Sequence, residues 1–365
     1  MEFREHVLPN GLEVVAECNP KAHSCAFTFW VKAGARDETP ELSGVSHFLE
    51  HMVFKGTDKR TAEDVNREFD EMGADYNAGT GDEATDYHAF LLPENLDWAL
   101  ELWSDVLRPA LREDDFTMEK KVIVEEIRES LDQPPYGADD HCKERFFGDH
   151  PLSRGILGTV ESVEALTVDA MRSYFDERYV ASNITLVAAG KIEFDRLVET
   201  AEKLCGHWPS GKATRRPAQA NPRFGFEVQE KASSHQQYVV QRAPSPGAGE
   251  DGRYAAHLLC AAMASATGGR LYWDLIDSGE ADSVSLSPCD YFDAGFFLTF
   301  MSCAPDQTAA NLQVIQDHFQ RVEKDGITQA ELDQVRNKIK SRRVLASERP
   351  RGRLFNIANN WTYRR

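Results

Sequence analysis

An internal repeat is the sequence feature that most constrains how this chain can fold. Residue types recur at an offset of 212 positions, as in the pairs Pro93 and Pro305, Leu100 and Leu312, Asp105 and Asp317, and Glu119 and Glu331. In both places an apolar, strand-like run precedes the proline, and helical patterns follow it. A strand and two helices therefore occur twice in the same order, as in a duplicated unit. The repeat predicts an α+β fold of two similar α/β halves, each a sheet with helices packed on it.

Hydrophobic periodicity places these elements along the chain. The predicted strands are Leu12–Glu17, Ala26–Val31, Thr85–Leu92, Ile184–Gly190, Gln237–Gln241 and Gly295–Ser302. The predicted helices include Pro93–Leu107, Glu113–Leu131 and Leu354–Arg365. A stretch rich in Pro, Gly, Ala and Arg lies between the halves and predicts a linker. We therefore expect domains at residues 1–215 and 229–365 joined by a linker at 216–228, with the second domain truncated inside its last helix.

Charge and hydropathy exclude several classes of partner. The net charge of −19 does not suit nucleic-acid phosphates or anionic membrane surfaces, which attract basic proteins. The sequence holds no apolar run of membrane-spanning length, so we expect no membrane insertion. Its seven cysteines are scattered, odd in number and without a CxxC pair, which is typical of reduced thiols. These features favour the cytoplasm, or the periplasm if a signal peptide has been removed.

The residues with the clearest chemistry lie at positions 45–54, where helical spacing produces two stripes. One stripe is apolar, and the other carries His47, Glu50 and His51 in the pattern HxxEH. Two histidines four residues apart on a helix chelate one Zn²⁺ ion, and the glutamate between them is held just beyond bonding range. The spacing therefore predicts a zinc site with Glu50 beside it.

A catalytic zinc takes three protein ligands and leaves one position for water. The helix predicted downstream offers four candidates for the third ligand, namely Glu119, Glu125, Glu126 and Glu129. Glu119 and Glu126 are seven residues apart and share a helix face, so that one could bind the metal while the other hydrogen-bonds a ligand histidine. The spacing alone does not choose among them, and a histidine pair on a helix is more often a polar face than a metal site.

Longer motifs resemble the pitrilysin / mitochondrial processing peptidase family of inverted-zincin metallopeptidases, in particular its zinc-bearing subunits. They are HFLEHMVFKGT at 47–57, VIVEEI at 122–127, NGL at 10–12, GADYNA at 73–78, HPLSRGILGT at 150–159 and YVASN at 179–183. The resemblance spans nearly the whole chain. It implies two similar α/β halves that form one side of a clamshell, and a peptide bond hydrolase with one Zn²⁺ per chain.

The resemblance also implies roles for individual residues. His47, His51 and Glu126 are the implied metal ligands, Glu50 the general base and Glu119 a carboxylate that supports a ligand. Asn77 and Ala78 would lie on a strand edge that pairs with the peptide substrate. In the second half, Lys338 matches Glu126, so we expect no metal site there.

One departure from the family pattern concerns an Arg and a Tyr, seven residues apart, that bind substrate in family members active as homodimers. Leu275 or Ile276 falls where the Arg is expected, and Asp282 falls where the Tyr is expected. Arg270 belongs to the preceding motif and does not replace them. The departure predicts a heterodimer whose zinc-less, homologous partner supplies both residues, with a degenerate homodimer as the alternative.

The sequence leaves three functional hypotheses open. The first is a zinc endopeptidase acting on short or unfolded peptides. The second is a non-catalytic or weakly active core subunit of a heteromeric processing peptidase, which the missing Arg and Tyr favour. The third is a zinc-binding protein without catalysis, which would have no need of Glu50 as a base.

Overall fold

The structure is a computed structural model that describes residues 1–215 and 217–363. Arg216, with which the predicted linker begins, and Arg364 and Arg365, with which the predicted second domain and its last helix end, lie outside the described residues. The chain forms two compact units. The first consists of the described residues within Met1–Glu129, Arg154–Arg216 and Ala346–Arg365, and the second of those within Ser130–Ser153 and Pro217–Leu345.

The first unit is built on a six-stranded sheet with the order β1-β2-β6-β3-β5-β4. Its strands are β1 (Glu2–Val7), β2 (Glu13–Cys18), β3 (Cys25–Val31), β4 (Asp75–Thr80), β5 (Thr85–Leu91) and β6 (Ile184–Gly190). All pairs are antiparallel except β2 with β6. The central strands β3 and β6 are buried along their whole length, which explains their continuous apolar sequences.

Helices of the first unit cover this sheet. They are α1 (Val45–Val53), α2 (Ala62–Met72), α3 (Leu96–Val106), most of α4 (Glu113–Asp132), α6 (Val160–Ala165), α7 (Val168–Arg178), α8 (Phe194–Cys205) and α12 (Pro350–Tyr363), with α5 (Ala138–Phe147) lying in the second unit. One large apolar core includes Phe27 and Phe29 of β3, Phe48 of α1 and Trp103 of α3. Its burial fixes α1 against the sheet.

The second unit has a three-stranded antiparallel sheet with the order β7-β9-β8. Its strands are β7 (Gln237–Pro244), β8 (Ser283–Asp290) and β9 (Gly295–Cys303), and its further helices are α9 (Gly252–Ala264), α10 (Thr308–Asp325) and most of α11 (Gln329–Ser347). Residues 217–236 form neither helix nor strand.

The two sheets confirm the predicted duplication at the level of strand register. In the first unit Cys25 pairs with Leu91, and in the second unit Gln237 pairs with Cys303. Both residues of the second pair lie 212 positions after those of the first. The helices that follow, α3 and α10, then α4 and α11, keep the same order. The α+β fold class with two similar halves is therefore confirmed.

Each unit also contains a helix from the other half of the sequence. Helix α12 belongs to the first unit, where Leu354, Ile357 and Ala358 are buried against residues of the sheet such as Trp30. Helix α5 belongs to the second unit, where Phe146 and Phe147 pack with residues of the β9 region. The two helices begin near corresponding positions of the repeat, so each unit completes its core with the counterpart helix of the other half.

Among the residues that the structure describes, no helix is both long enough and apolar enough to cross a membrane.

Candidate metal centre

Helix α1 carries the HxxEH residues and is held by its apolar stripe. Val45, Phe48, Leu49 and Met52 are buried in the main core of the first unit. The helix begins after Gly44, whose φ of 92° lies in the left-handed region that favours glycine. Burial of the stripe turns the opposite side of the helix, with both histidines, towards α4.

Three side chains from two helices converge at this place. Metal-binding atoms of His47, His51 and Glu126 all lie within 4.8 Å of one another. Glu126 Oε1 lies 3.7 Å from His47 Nε2, and its Oε2 lies 3.6 Å from His51 Nε2. The structure therefore brings together the two HxxEH histidines and one of the four downstream glutamates. Among the described residues this is the one such group of three or more potential ligands.

The geometry of these donors fits a zinc ion. With bonds of 2.0–2.2 Å in a tetrahedral arrangement, ligand atoms stand about 3.4 Å apart. The two nitrogen–oxygen distances are near this value and are longer than good hydrogen bonds. Among the described residues none hydrogen-bonds the buried His47 Nδ1, so no such bond turns the ring away from Glu126. Two imidazoles and one carboxylate are a donor set typical of catalytic zinc.

The protonation of His47 suits a ligand. Burial and the charge of neighbouring His51 lower the pKa of His47 to about 4, so that its ring is neutral at physiological pH. Burial opposes protonation of His51 as well, but the hydrogen bond to Glu119 and the charges of Glu50 and Glu126 raise its pKa above the usual value. Since a metal binds only the neutral ring, a proton and a metal ion would compete for His51.

Glu119 lies behind His51 rather than at the metal position. Its Oε1 accepts a hydrogen bond from His51 Nδ1 at 2.9 Å, and its side chain is buried. A carboxylate in this position fixes the ring orientation and leaves Nε2 for the metal. The other two candidate glutamates lie outside the group. Glu125 is exposed and pairs with Arg128, and Glu129 is exposed.

Glu50 lies on α1 between the two histidines and is held by the sheet. Thr80, the last residue of β4, donates a hydrogen bond to Glu50 Oε2 at 2.8 Å. Burial raises the pKa of Glu50, against the hydrogen bond from Thr80. A raised pKa is the usual adaptation of a carboxylate that accepts a proton and then returns it.

The two predicted substrate-binding residues lie on the edge strand β4. Asn77 is opposite His88 and Ala78 is opposite Tyr87 of β5, and the other side of β4 pairs with none of the named strands. The same strand ends at Thr80, which contacts Glu50. A strand added to this edge would therefore run past the candidate metal centre.

Sequence reasoning missed a buried carboxylate that caps α1. Glu38 accepts hydrogen bonds from the backbone N–H groups of Gly44 and Ser46, both at 2.8 Å. Amides at the start of a helix have no carbonyl partner within the helix, and Glu38 supplies one. An anion at this end of a helix also interacts favourably with the helix dipole. No helical spacing relates Glu38 to the HxxEH residues, because it precedes the helix in an irregular segment.

The capping carboxylate makes the stability of the first unit depend on pH. Burial raises the pKa of Glu38 to about 7. The unfolded chain releases this proton near pH 4.5, so the stabilisation is complete below that pH and is lost as the pH rises to about 7. In metal-free protein, the stability advantage of the wild type over Glu38→Gln should fall by roughly 2–3 kcal/mol between about pH 4.5 and about pH 8.

Tryptophan fluorescence during urea unfolding measures this effect. Five of the six tryptophans lie in the first unit, and Trp273→Phe removes the sixth, so that the signal then reports that unit alone. A difference between the wild type and Glu38→Gln that does not change with pH would contradict the buried, high-pKa carboxylate.

In the second unit an ammonium group stands at the position that matches the third candidate ligand. Lys338, which matches Glu126 in the repeat, donates hydrogen bonds to Ser265 Oγ at 3.1 Å and to the carbonyl of Thr267 at 3.2 Å. The described residues of this unit contain no further group of potential metal ligands. The ammonium group thus links α11 to the loop after α9.

The residues at the expected Arg and Tyr positions serve structural roles in the second unit. Leu275 is fully buried, and Asp282 accepts a hydrogen bond from Gln236. Arg270 is bound to Glu331 by an ion pair of 2.6 Å. None of the three therefore replaces the expected Arg or Tyr as a group that could bind substrate.

An HxxEH helix is the signature of the inverted-zincin class of metallopeptidases. Residues 13–160 match the family model described as insulinase (peptidase family M16), and residues 165–339 match that of the peptidase M16 inactive domain. The chain belongs to the peptidase M16 family, in agreement with the pitrilysin-type motifs of its sequence.

Relatives and solved structures agree with this assignment. The chain is 31% identical to an uncharacterized zinc protease of Streptomyces coelicolor, covering 94% of this chain and 77% of the relative. It is 30% identical to an uncharacterized zinc protease of Bacillus subtilis, covering 98% and 88%. The crystal structure of a protease from Helicobacter pylori has the same fold, with a TM-score of 0.93, 22% identity and coverage of 99% and 89%. That of a putative M16-like peptidase from Alicyclobacillus acidocaldarius gives 0.81 and 25% identity, with coverage of 99% and 88%.

Proposed function

We propose that this chain is a zinc-dependent endopeptidase that hydrolyses short or unfolded peptides. The observation that carries the proposal is the convergence of His47, His51 and Glu126 at distances suited to one ion, with Glu50 on the same helix. Relatives covering most of the chain are named zinc proteases, which supports zinc, one ion per chain, as the metal.

The protein groups have separate tasks in this proposal. Zinc, when bound to His47, His51 and Glu126, supplies Lewis acidity towards water and the scissile carbonyl. Glu50 accepts a proton from the attacking water and passes it to the leaving amine. Thr80 holds one oxygen of Glu50, and Glu119 holds His51 with Nε2 facing the ion. The catalytic roles thus fall to Glu50, with Glu119 in support.

The free edge of β4 is the proposed binding site for the peptide backbone. An extended peptide would add a strand beside Asn77 and Ala78, through main-chain hydrogen bonds. Because main-chain groups are common to all residues, this mode predicts loose sequence preference. It also requires an unfolded segment, since a folded substrate has no free backbone to pair.

The proposed partner is a homologous, zinc-less subunit that supplies the missing Arg and Tyr, with a homodimer as the alternative. This proposal rests on Leu275, Arg270 and Asp282, which are buried or already paired in the second unit. Oxyanion stabilisation in a peptidase needs donors placed before the reaction. We therefore expect purification of the natural protein to yield a second chain of similar size.

The cysteines support a reducing compartment. Within the part of the chain that the structure describes, the seven cysteines are thiols rather than disulfides, and Cys25, Cys205, Cys260 and Cys303 are buried. We propose a cytoplasmic location on this basis.

A second candidate function is a non-catalytic or weakly active core subunit of a heteromeric processing peptidase. The absence of a placed Arg and Tyr favours it, as does the match of residues 165–339 to a domain described as inactive. The candidate centre of the first unit favours the enzyme instead, because a scaffold would need neither the three converging ligands nor Glu50.

Incubation with quenched, unstructured peptides separates the two candidates. We expect hydrolysis by the chain in the presence of its partner, inhibition by a zinc chelator and recovery when zinc is added back. Hydrolysis by the chain alone would make the partner dispensable. Zinc-loaded chain that cleaves no peptide, with or without the partner, would support the scaffold.

A further inference from the structure

The ion pair that supports Glu119 is the part of the candidate centre that neither the motif nor the proposed mechanism explains. Lys55 follows the end of α1, and its Nζ lies 2.5 Å from Glu119 Oε2. The other oxygen, Oε1, faces His51 Nδ1 at 2.9 Å. The carboxylate of Glu119 therefore bridges a lysine and a candidate ligand.

The two partners of this ion pair differ in burial. The side chain of Glu119 is only 5% exposed, whereas that of Lys55 is 34% exposed. A buried carboxylate is costly unless its lone pairs are satisfied. With Lys55 on Oε2, the carboxyl plane of Glu119 is fixed and its Oε1 is presented to His51. Without it, Glu119 keeps one partner and gains freedom to rotate away from the ring.

The orientation of Glu119 decides which nitrogen of His51 faces the metal position. A hydrogen bond from Nδ1–H to a carboxylate stabilises the tautomer whose Nε2 carries the lone pair. That Nε2 lies 3.6 Å from Glu126 Oε2, on the side of the candidate ligands. The chain of contacts thus runs from Lys55 through Glu119 and His51 to the metal position.

We propose that Lys55 is a positioning residue for the metal centre, holding Glu119 so that His51 presents Nε2 to zinc. The inference rests on the proposed zinc site and concerns affinity for the ion rather than the peptide. Lys55 lies outside the HxxEH pattern, and its Nζ pairs with Glu119 rather than with one of the three proposed ligands. Its contribution acts through Glu119 alone.

The test is the zinc dissociation constant of purified protein, measured by competition with a chromophoric chelator. Loss of an outer partner of a metal ligand typically weakens binding by 10–100-fold. Because Lys55 acts through one more residue, we expect Lys55→Met to weaken zinc binding about tenfold. Lys55→Arg keeps the charge and a donor, so it should restore affinity to within about threefold of the wild type.

Lys59→Met is the matched control, because Lys59 pairs with Asp105 at 3.3 Å and the pair is unconnected to a proposed ligand. It should leave zinc affinity unchanged. Circular dichroism of the metal-free variants identifies any that fail to fold. In ¹⁵N-histidine NMR of metal-free protein, at a pH high enough to leave the His51 ring neutral, Lys55→Met should shift His51 towards a mixture of tautomers.

The outcomes distinguish this inference from the zinc site itself. Equal zinc affinity and an equal His51 tautomer in the wild type and a folded Lys55→Met would overturn the positioning role. Equal weakening by Lys59→Met would also overturn it, since general electrostatics would then suffice. Failure of the wild type to bind zinc would instead remove the proposed function on which the inference rests.

Discussion

Replacement of Glu50 by glutamine is expected to lower the rate of peptide hydrolysis by about 10²–10⁴-fold, with zinc binding retained. Glutamine has nearly the same shape and can still accept the hydrogen bond from Thr80, but it cannot take a proton from water. Glu50 is not among the three converging donors, so its replacement leaves those donors in place. Metal content and kcat, measured on the same preparation with the partner present, check both parts of the expectation.

The control for this substitution is Glu125→Gln, which makes the same chemical change on an exposed side chain paired with Arg128. It should retain both zinc and activity. Full activity in Glu50→Gln would refute the role of general base.

Replacement of Glu126 by glutamine is expected to weaken zinc binding by at least about a hundredfold, more than the loss of an outer partner. The substitution removes the negative charge and the anionic oxygen that lie 3.6–3.7 Å from both ring nitrogens. The two histidines remain one helical turn apart but form an incomplete site. Chelator competition at fixed pH measures the change, and activity should fall in parallel.

Glu125→Gln again supplies the control, now as the immediate chain neighbour. The two glutamates differ by one position on α4, yet one faces His47 and His51 and the other faces solvent. If the two variants lost zinc affinity to the same extent, the third ligand would not be Glu126, and net charge alone would explain the effect.

The sequence was sufficient for the histidine pair because its geometry is local. Residues four apart on any helix share a face, and the apolar stripe of α1 settles which face is buried. The repeat at 212 positions likewise predicted the shared order of strand and helices, and the strands of both units pair in the same register.

Helical spacing alone did not single out the third proposed ligand, for which the sequence offered Glu126 only through the family resemblance. Helical spacing allowed Glu119, Glu125, Glu126 and Glu129, because it does not fix the rotation of α4 about its own axis. Packing does so: Phe116, Ile123 and Ile127 of α4 are buried in the main core. This rotation directs Glu126 to both imidazoles and places Glu119, about two turns earlier on the same face, against His51.

Supporting residues outside regular patterns could not be predicted at all. Glu38, Lys55 and Thr80 lie before the helix, after the helix and at a strand end, so no period connects them with the HxxEH residues. The exchange of α5 and α12 between the units is similarly invisible in the sequence. Helices α5 and α12 occupy corresponding positions in the two halves of the repeat. Only three-dimensional packing shows which sheet each helix covers.

Anomalous diffraction at the zinc absorption edge tests the central claim most directly. Crystals of the protein grown with zinc should show one strong peak per chain in the first unit, about 2.0–2.2 Å from Nε2 of His47, Nε2 of His51 and a carboxylate oxygen of Glu126. A peak elsewhere, or zinc held by the histidines with Glu126 turned away, would contradict the site from which the proposed enzyme is built.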